Sequence, residues 1–132
     1  MRRTLIERFV AAAVFLYALV LYGLTIAPTV SFWDSGEFIA SVFGLEVMHP
    51  PGAPFYMLVA RLFSMLAPSR DLVALAVNWV SALSSAFTVL LTFLIIVRLI
   101  RYWQPPADQR TWTDDFIALA GGVVGACTFA VT

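Results

Sequence analysis

Two uncharged runs set the limits on what this chain can be. Phe9 to Ala27 holds nineteen consecutive residues without a formal charge, and Leu72 to Val97 holds twenty-six. About twenty apolar residues in a helix cross the hydrocarbon core of a bilayer, so each run is long enough to span one. A third apolar run opens at Phe116 and continues to Thr132. Hydrophobic residues make up 61% of the chain and charged residues 12%, about half the charged share usual in soluble domains. The expected fold is therefore all-α: a polytopic membrane protein with spans at about 9–27, 72–97 and 116–132. The connections are a long loop, 28–71, and a shorter one, 98–115.

The first run follows Arg2, Arg3 and Arg8, which also suits a secretory signal peptide. It is longer than a usual signal core, and Ile26-Ala27-Pro28-Thr29 has no clean small-x-small cleavage pattern, so an uncleaved span is expected. Pro28 ends it, because proline cannot continue a helix and restrains the residue before it. All eight basic residues are arginines, and six lie before the first run or between the second and third. The positive-inside rule then puts the N-terminus and 98–115 in the cytoplasm and 28–71 outside, here on the outer side of a bacterial inner membrane. The chain stops while still apolar, and we expect it to be the N-terminal piece of a longer polytopic protein.

Formal net charge is zero, which leaves no polyanion-binding surface and excludes nucleic acid as a partner. One cysteine, Cys127, lies in an apolar run and reads as a packing residue; with a single histidine there is no zinc pattern. Gly121 and Gly125 have the small-xxx-small spacing that lets membrane helices approach closely, or are glycines spaced so by chance. Thr113-Asp114-Asp115 offers an N-cap and first-turn acids for the third helix.

The polar residues concentrate in the outer loop. Asp34 to about Val47 is predicted to be a short helix with Phe38, Ile39, Val42, Phe43 and Leu45 towards one side. Pro54 to about Ala67 is predicted to be a second, with Phe55, Leu58, Val59, Leu62 and Leu66 at spacings of three and four and with Arg61 and Ser64 off that stripe. Both are too short to span and suit the headgroup region of the lipid bilayer. His49-Pro50-Pro51-Gly52 separates them.

Asp34 and Glu37 are three positions apart. A carboxylate there could take a proton from an acceptor hydroxyl while its neighbour orients that acceptor, or the pair could hold a divalent cation. On spacing alone the stronger reading is a capping box, with Asp34 as N-cap and Glu37 at the third helical position. His49 suits a phosphate or a proton shuttle, or merely fills its turn. Arg61 could pair with phosphate oxygens or snorkel to the interface. Trp33 could stack on a sugar, with an interfacial belt position as its default.

Together, Pro28-Thr29 to Glu37-Phe38 and His49-Pro50-Pro51-Gly52-Ala53-Pro54, set between two spans, resemble the N-terminal module of GT-C glycosyltransferases. They are most similar to a bacterial membrane family related to the animal transmembrane O-mannosyltransferases. The resemblance covers roughly residues 9 to 100. It implies transfer of a sugar, such as mannose, from a polyprenyl-phosphate donor to a protein or lipid acceptor on the outer face. Asp34 takes the place of the family's catalytic aspartate, with Glu37 an assisting acid and His49 near the donor phosphate or the acceptor. Other protein O-mannosyltransferases carry adjacent acids and a lysine soon after HPP. Here Ser35-Gly36 separate the acids and no lysine exists, so neither the acceptor nor a metal requirement is fixed. A fragment of this size is expected to be inactive alone. The competing expectation is a non-catalytic subunit that packs on partner membrane subunits.

Overall fold

In the computed structural model, which describes residues 2–49 and 53–132, the chain is all-helical. Five α-helices follow in order: α1 (Arg2–Thr25), α2 (Ser35–Gly44), α3 (Pro54–Leu66), α4 (Val73–Tyr102) and α5 (Trp112–Val131), with a single 3-10 turn at Arg70–Leu72. Three of them, α1, α4 with its preceding turn, and α5, are long and apolar enough to cross a membrane. The chain is a multi-pass membrane protein with two short helices in its first long loop.

The spanning helices exceed their uncharged runs. α1 starts at Arg2 and α4 ends at Tyr102, because arginine and glutamate propagate a helix nearly as well as leucine does. α5 begins at Trp112, with Thr111 rather than Thr113 as its N-cap. The Thr111 hydroxyl accepts from the Asp114 N–H, and the Asp114 carboxylate accepts from the Thr111 N–H. This is a capping box two residues earlier than expected.

The chain divides into two compact units. The first comprises residues 1–22 and 84–132. Its core is Val14 and Ala18 of α1, Ala86, Val89, Phe93 and Val97 of α4, and Ala118, Ala126 and Ala130 of α5. Gly122 completes the α5 row at four-residue spacing. A Cβ there would lie 2.6 Å from Val97 and 2.9 Å from Phe93. Gly121 and Gly125 face Ile100 and Ile96 in the same way. The small residues thus let α4 approach within the chain, and this face is already filled. Tyr22 adds a hydrogen bond from its hydroxyl to the Ala130 carbonyl, 3.1 Å away.

The second unit, residues 23–83, carries the long loop. Its core joins Val42 of α2, Met57 and Ala60 of α3, and Val73, Val77 and Val80 of α4. Asn78 donates to the carbonyls of Ala27 and Thr29, at 2.9 and 3.1 Å, which fixes the chain where α1 ends. The Phe38 and Tyr56 rings meet edge-on, 5.5 Å apart.

Both loop helices differ from expectation in detail. α2 stops at Gly44, not Val47: Leu45 turns left-handed at φ 54, and the Glu46 N–H closes the end on the Ser41 carbonyl. Phe43 and Leu45, expected on its apolar side, are exposed. On α3 the buried residues are Met57, Ala60 and Ser64, whereas Phe55, Leu58, Leu62 and Leu66 of the expected stripe point outward. Both sides of α3 are therefore apolar. A row of exposed phenylalanine and leucine is a liability in water and an ordinary surface in lipid.

Candidate functional site

The loop Ser31–Asp34 is set by local bonds and one unusual backbone angle. Ser35 Oγ donates to the Ser31 carbonyl at 2.9 Å, and a Cβ on Gly36 would sit 3.3 Å from Val30, so this turn lies close on the helix start. Trp33 adopts a left-handed backbone, φ 58, which an aromatic residue enters only at an energetic cost. The residue is 95% exposed. The next residue, Asp34, occupies the N-cap position of α2.

The capping-box expectation fails at this point. The Asp34 side chain makes no cap hydrogen bond, and Glu37 does not reach back to the Asp34 N–H. Both oxygens of Glu37 instead meet His49, twelve residues on. The His49 backbone N–H donates to Oε1 at 2.9 Å and its ring Nδ1 donates to Oε2 at 2.6 Å. The other ring nitrogen, Nε2, lies 3.9 Å from Asp34 Oδ2. Three residues singled out by sequence thus form one cluster, with the imidazole between two carboxylates. Pro50, Pro51 and Gly52 of the turn lie outside the described residues, while α2 and α3 on either side are separate helices.

The electrostatics follow from these contacts. Hydrogen bonds from the His49 backbone and ring hold the Glu37 carboxyl below its ordinary 4.5. The bond to Glu37, helped by the charges of Glu37 and Asp34, raises His49 above its ordinary 6.5. Glu37 therefore stabilises the fold above 4.5 and loses that effect as pH falls through its lowered value. His49 stabilises it below 6.5 and loses that effect as pH rises through its raised value. The pair is fully formed between 4.5 and 6.5. His49 is the chain's single histidine, so its ring resonances identify themselves in an NMR titration. Glu37→Gln should lower the His49 pKa towards 6.5. An unchanged titration would mean the contact is absent in solution.

Arg61 stands apart from this cluster in its contacts. Its guanidinium donates to the Phe43 carbonyl and lies 6.0 Å from the centre of the Phe43 ring, satisfying a carbonyl at the C-terminal end of α2. Among the described residues no group of three His, Cys, Asp or Glu side chains could hold a metal ion. Both Glu37 oxygens turn to His49, so Asp34 is the carboxylate of the pair left for a divalent cation, whose remaining oxygens water and phosphate would supply.

Sequence inspection passed over a second polar cluster, built from Glu7, Arg101 and Asp115. Arg101 donates to Glu7 and lies 3.9 Å from Asp115. Its signal was available, since Glu7 is the lone acid among the N-terminal arginines.

Comparison with known proteins bears on the first cluster. The family described as the Protein O-mannosyl-transferase TMEM260 N-terminal domain matches residues 34–132, from Asp34 through α5. Protein O-mannosyl-transferase tmem260 of Dictyostelium discoideum is 30% identical over 83 residues, covering 62% of this chain and 10% of that protein. Protein O-mannosyl-transferase TMEM260 of Mus musculus is 36% identical over 89 residues, covering 67% of this chain and 12% of that protein. The chain spans about a tenth of the length of these relatives. No solved structure matches it. With three-quarters of its length inside one family, all three clustered residues included, the chain belongs to the TMEM260 N-terminal domain family of protein O-mannosyl-transferases.

Proposed function

We propose that this chain is the N-terminal membrane module of a GT-C type glycosyltransferase. The enzyme would move a sugar, mannose in the simplest reading, from a polyprenyl-phosphate donor to a hydroxyl of a protein or lipid acceptor. The observation that carries this is the Asp34 carboxylate, which makes no cap hydrogen bond and lies 3.9 Å from a histidine that Glu37 holds in place. In the reaction, Asp34 takes the proton of the acceptor hydroxyl. The acceptor oxygen bonds to the anomeric carbon, and the bond from that carbon to the phosphate oxygen breaks. Polyprenyl phosphate leaves with the electron pair, and the His49 imidazolium balances its charge. Trp33 offers an exposed ring to the sugar face. Glu37 acts through His49 as a positioning residue, and Arg61 is engaged with Phe43. Of the acid pair only Asp34 is left to a divalent cation, and no step is assigned to one.

The competing reading, a non-catalytic subunit, drew on a capping box at Asp34, the small-residue face of α5 and the short length of the chain. Asp34 makes no cap bond and α4 fills the small-residue face within the chain, which weakens two of these three grounds. To test the donor, purified active protein is offered a labelled sugar on polyprenyl phosphate or on a nucleotide. Label should reach the acceptor from the lipid alone. Direct transfer from the nucleotide, with no lipid present, would overturn the proposal.

We also place 28–71 on the outer side, in a bacterium the periplasmic face of the inner membrane, and 98–115 in the cytoplasm. In a Cys127→Ala background, Val47→Cys, at a position 96% exposed, should react with an impermeant thiol reagent added to whole cells. Gln109→Cys should react only after the cells are opened. The reverse pattern would invert the topology.

A further inference from the structure

The outer end of α4 holds the loop that carries Asp34, and it does so through Asn78, the chain's single asparagine. Asn78 Nδ2 donates to the Ala27 carbonyl at 2.9 Å and to the Thr29 carbonyl at 3.1 Å, across 51 and 49 positions. A carboxamide nitrogen has two protons to give, whereas a serine or threonine hydroxyl in its place has one. The neighbouring Trp79 closes on the last turns of α1, where a Cβ on Gly23 would lie 3.0 Å from the edge of its ring. Beyond Thr29 the loop is tied to the start of α2. Val30 packs on Gly36, whose added Cβ would sit 3.3 Å from it, and the Ser31 carbonyl accepts from Ser35 Oγ at 2.9 Å. Asp34 lies between these two attachments.

The same turn of α4 supports the other half of the cluster. Val77 and Val80 share a core with Val42 of α2 and with Met57 and Ala60 of α3. α2 carries Glu37, and Glu37 holds His49. Residues 77–80 are thus a common support for Asp34 on one side and His49 on the other. Asp34 makes no cap hydrogen bond of its own to fix it. Catalytic groups work when held to about 0.5 Å, and a misplacement of about 1 Å costs on the order of 10²-fold in rate. We propose that Asn78 is a positioning residue for sugar transfer. By holding the 27–31 segment against α4, it sets where the Asp34 carboxylate stands relative to His49. This rests on Asp34 acting as the base of the transfer.

A double-mutant cycle on the active protein tests this. Alanine donates nothing and propagates a helix better than asparagine, and side-chain hydrogen bonds between membrane helices add only modestly to folding. Asn78→Ala should therefore stay folded and lower kcat by about 10–10²-fold. KM for the lipid-linked sugar should hold, because Asn78 touches no substrate. In an Asp34→Asn background the same change should cost nothing further, since no base is left to misplace. A residue that serves folding alone would lower the active fraction alike in both backgrounds. An equal loss in both, or an undiminished kcat in Asn78→Ala, would overturn the proposal and leave Asp34 as the base. Near-normal transfer by Asp34→Asn alone would remove the base, and the proposal with it. Where Asn78→Ala does not fold, the unaltered protein decides. Fed isotope-labelled asparagine, it gives one asparagine carboxamide signal, whose protons should exchange well below the rate of free asparagine. Exchange at the free rate would mean that both bonds are absent, and would overturn the proposal.

Discussion

Asp34→Asn is expected to lower sugar transfer by about 10²–10⁴-fold, the usual worth of general-base catalysis, while the protein stays folded. The side chain keeps its shape and loses only its charge. Because Asp34 makes no cap hydrogen bond, α2 loses nothing by the change, and Asn suits an N-cap position about as well as Asp in any case. Its 3.9 Å approach to His49 Nε2 involves an exposed side chain, and pairs of that kind contribute little to stability. Activity and folding should therefore separate cleanly. Transfer rate and thermal midpoint are measured on the same preparation of active protein. Near-normal transfer by Asp34→Asn would remove Asp34 from the chemistry, and Glu37→Gln would then show whether His49 alone is needed.

Arg101→Gln is expected to cost about 3–5 kcal/mol of stability, the penalty for taking the cation out of a largely buried ion pair. The Arg101 and Glu7 side chains are 19% and 22% exposed, and that of Asp115 is 9% exposed. Without the guanidinium, Glu7 of α1 and Asp115 of α5 would be two carboxylates sharing a poorly solvated space. They come from different helices, so the repulsion acts on helix packing and not within one helix. The double change Glu7→Gln with Arg101→Gln should recover part of the loss, since one of the two acids is then neutral. Unfolding in detergent measures both. A loss below about 1 kcal/mol, the value of an exposed pair, would mean the cluster is solvated.

What the sequence made legible was governed by how local each determinant is. The three spans follow from uninterrupted apolar runs, a property of the residues themselves. Their ends were less accessible, because Arg2 to Arg8 and Arg98 to Tyr102 extend helices past the apolar stretch, and hydropathy does not register that. Thr111 and Thr113 are equally good cap residues. Only the reciprocal bonds with Asp114 distinguish them. On α3 a count of apolar spacing found the exposed row of Phe55, Leu58, Leu62 and Leu66 and passed over Met57 and Ala60, since both faces are apolar. Asp34, Glu37 and His49 were each identifiable as chemistry-bearing. Their convergence was not, because Glu37 binds a residue twelve positions away while its spacing from Asp34 imitates a capping box. Glu7 with Arg101, separated by 94 positions, lies further beyond any local pattern.

The bond from Tyr22 to Ala130 has a consequence in time. Its two ends are 108 positions apart, and ribosomes add roughly 5–20 residues per second. α1 must then wait about 5–20 seconds after its own synthesis before α5 exists to receive it. Val14 and Ala18, made early, meet Ala126 and Ala130 only at the end of that interval. During the wait the apolar flank of α1 has lipid, the insertion machinery or a neighbouring chain as its company. The earlier of these two helices is thus locked only when the later one is complete. A ribosome stalled shortly before the codon for Ala130 would hold the chain with residues 28–71 complete and the contacts of α5 with α1 still unmade.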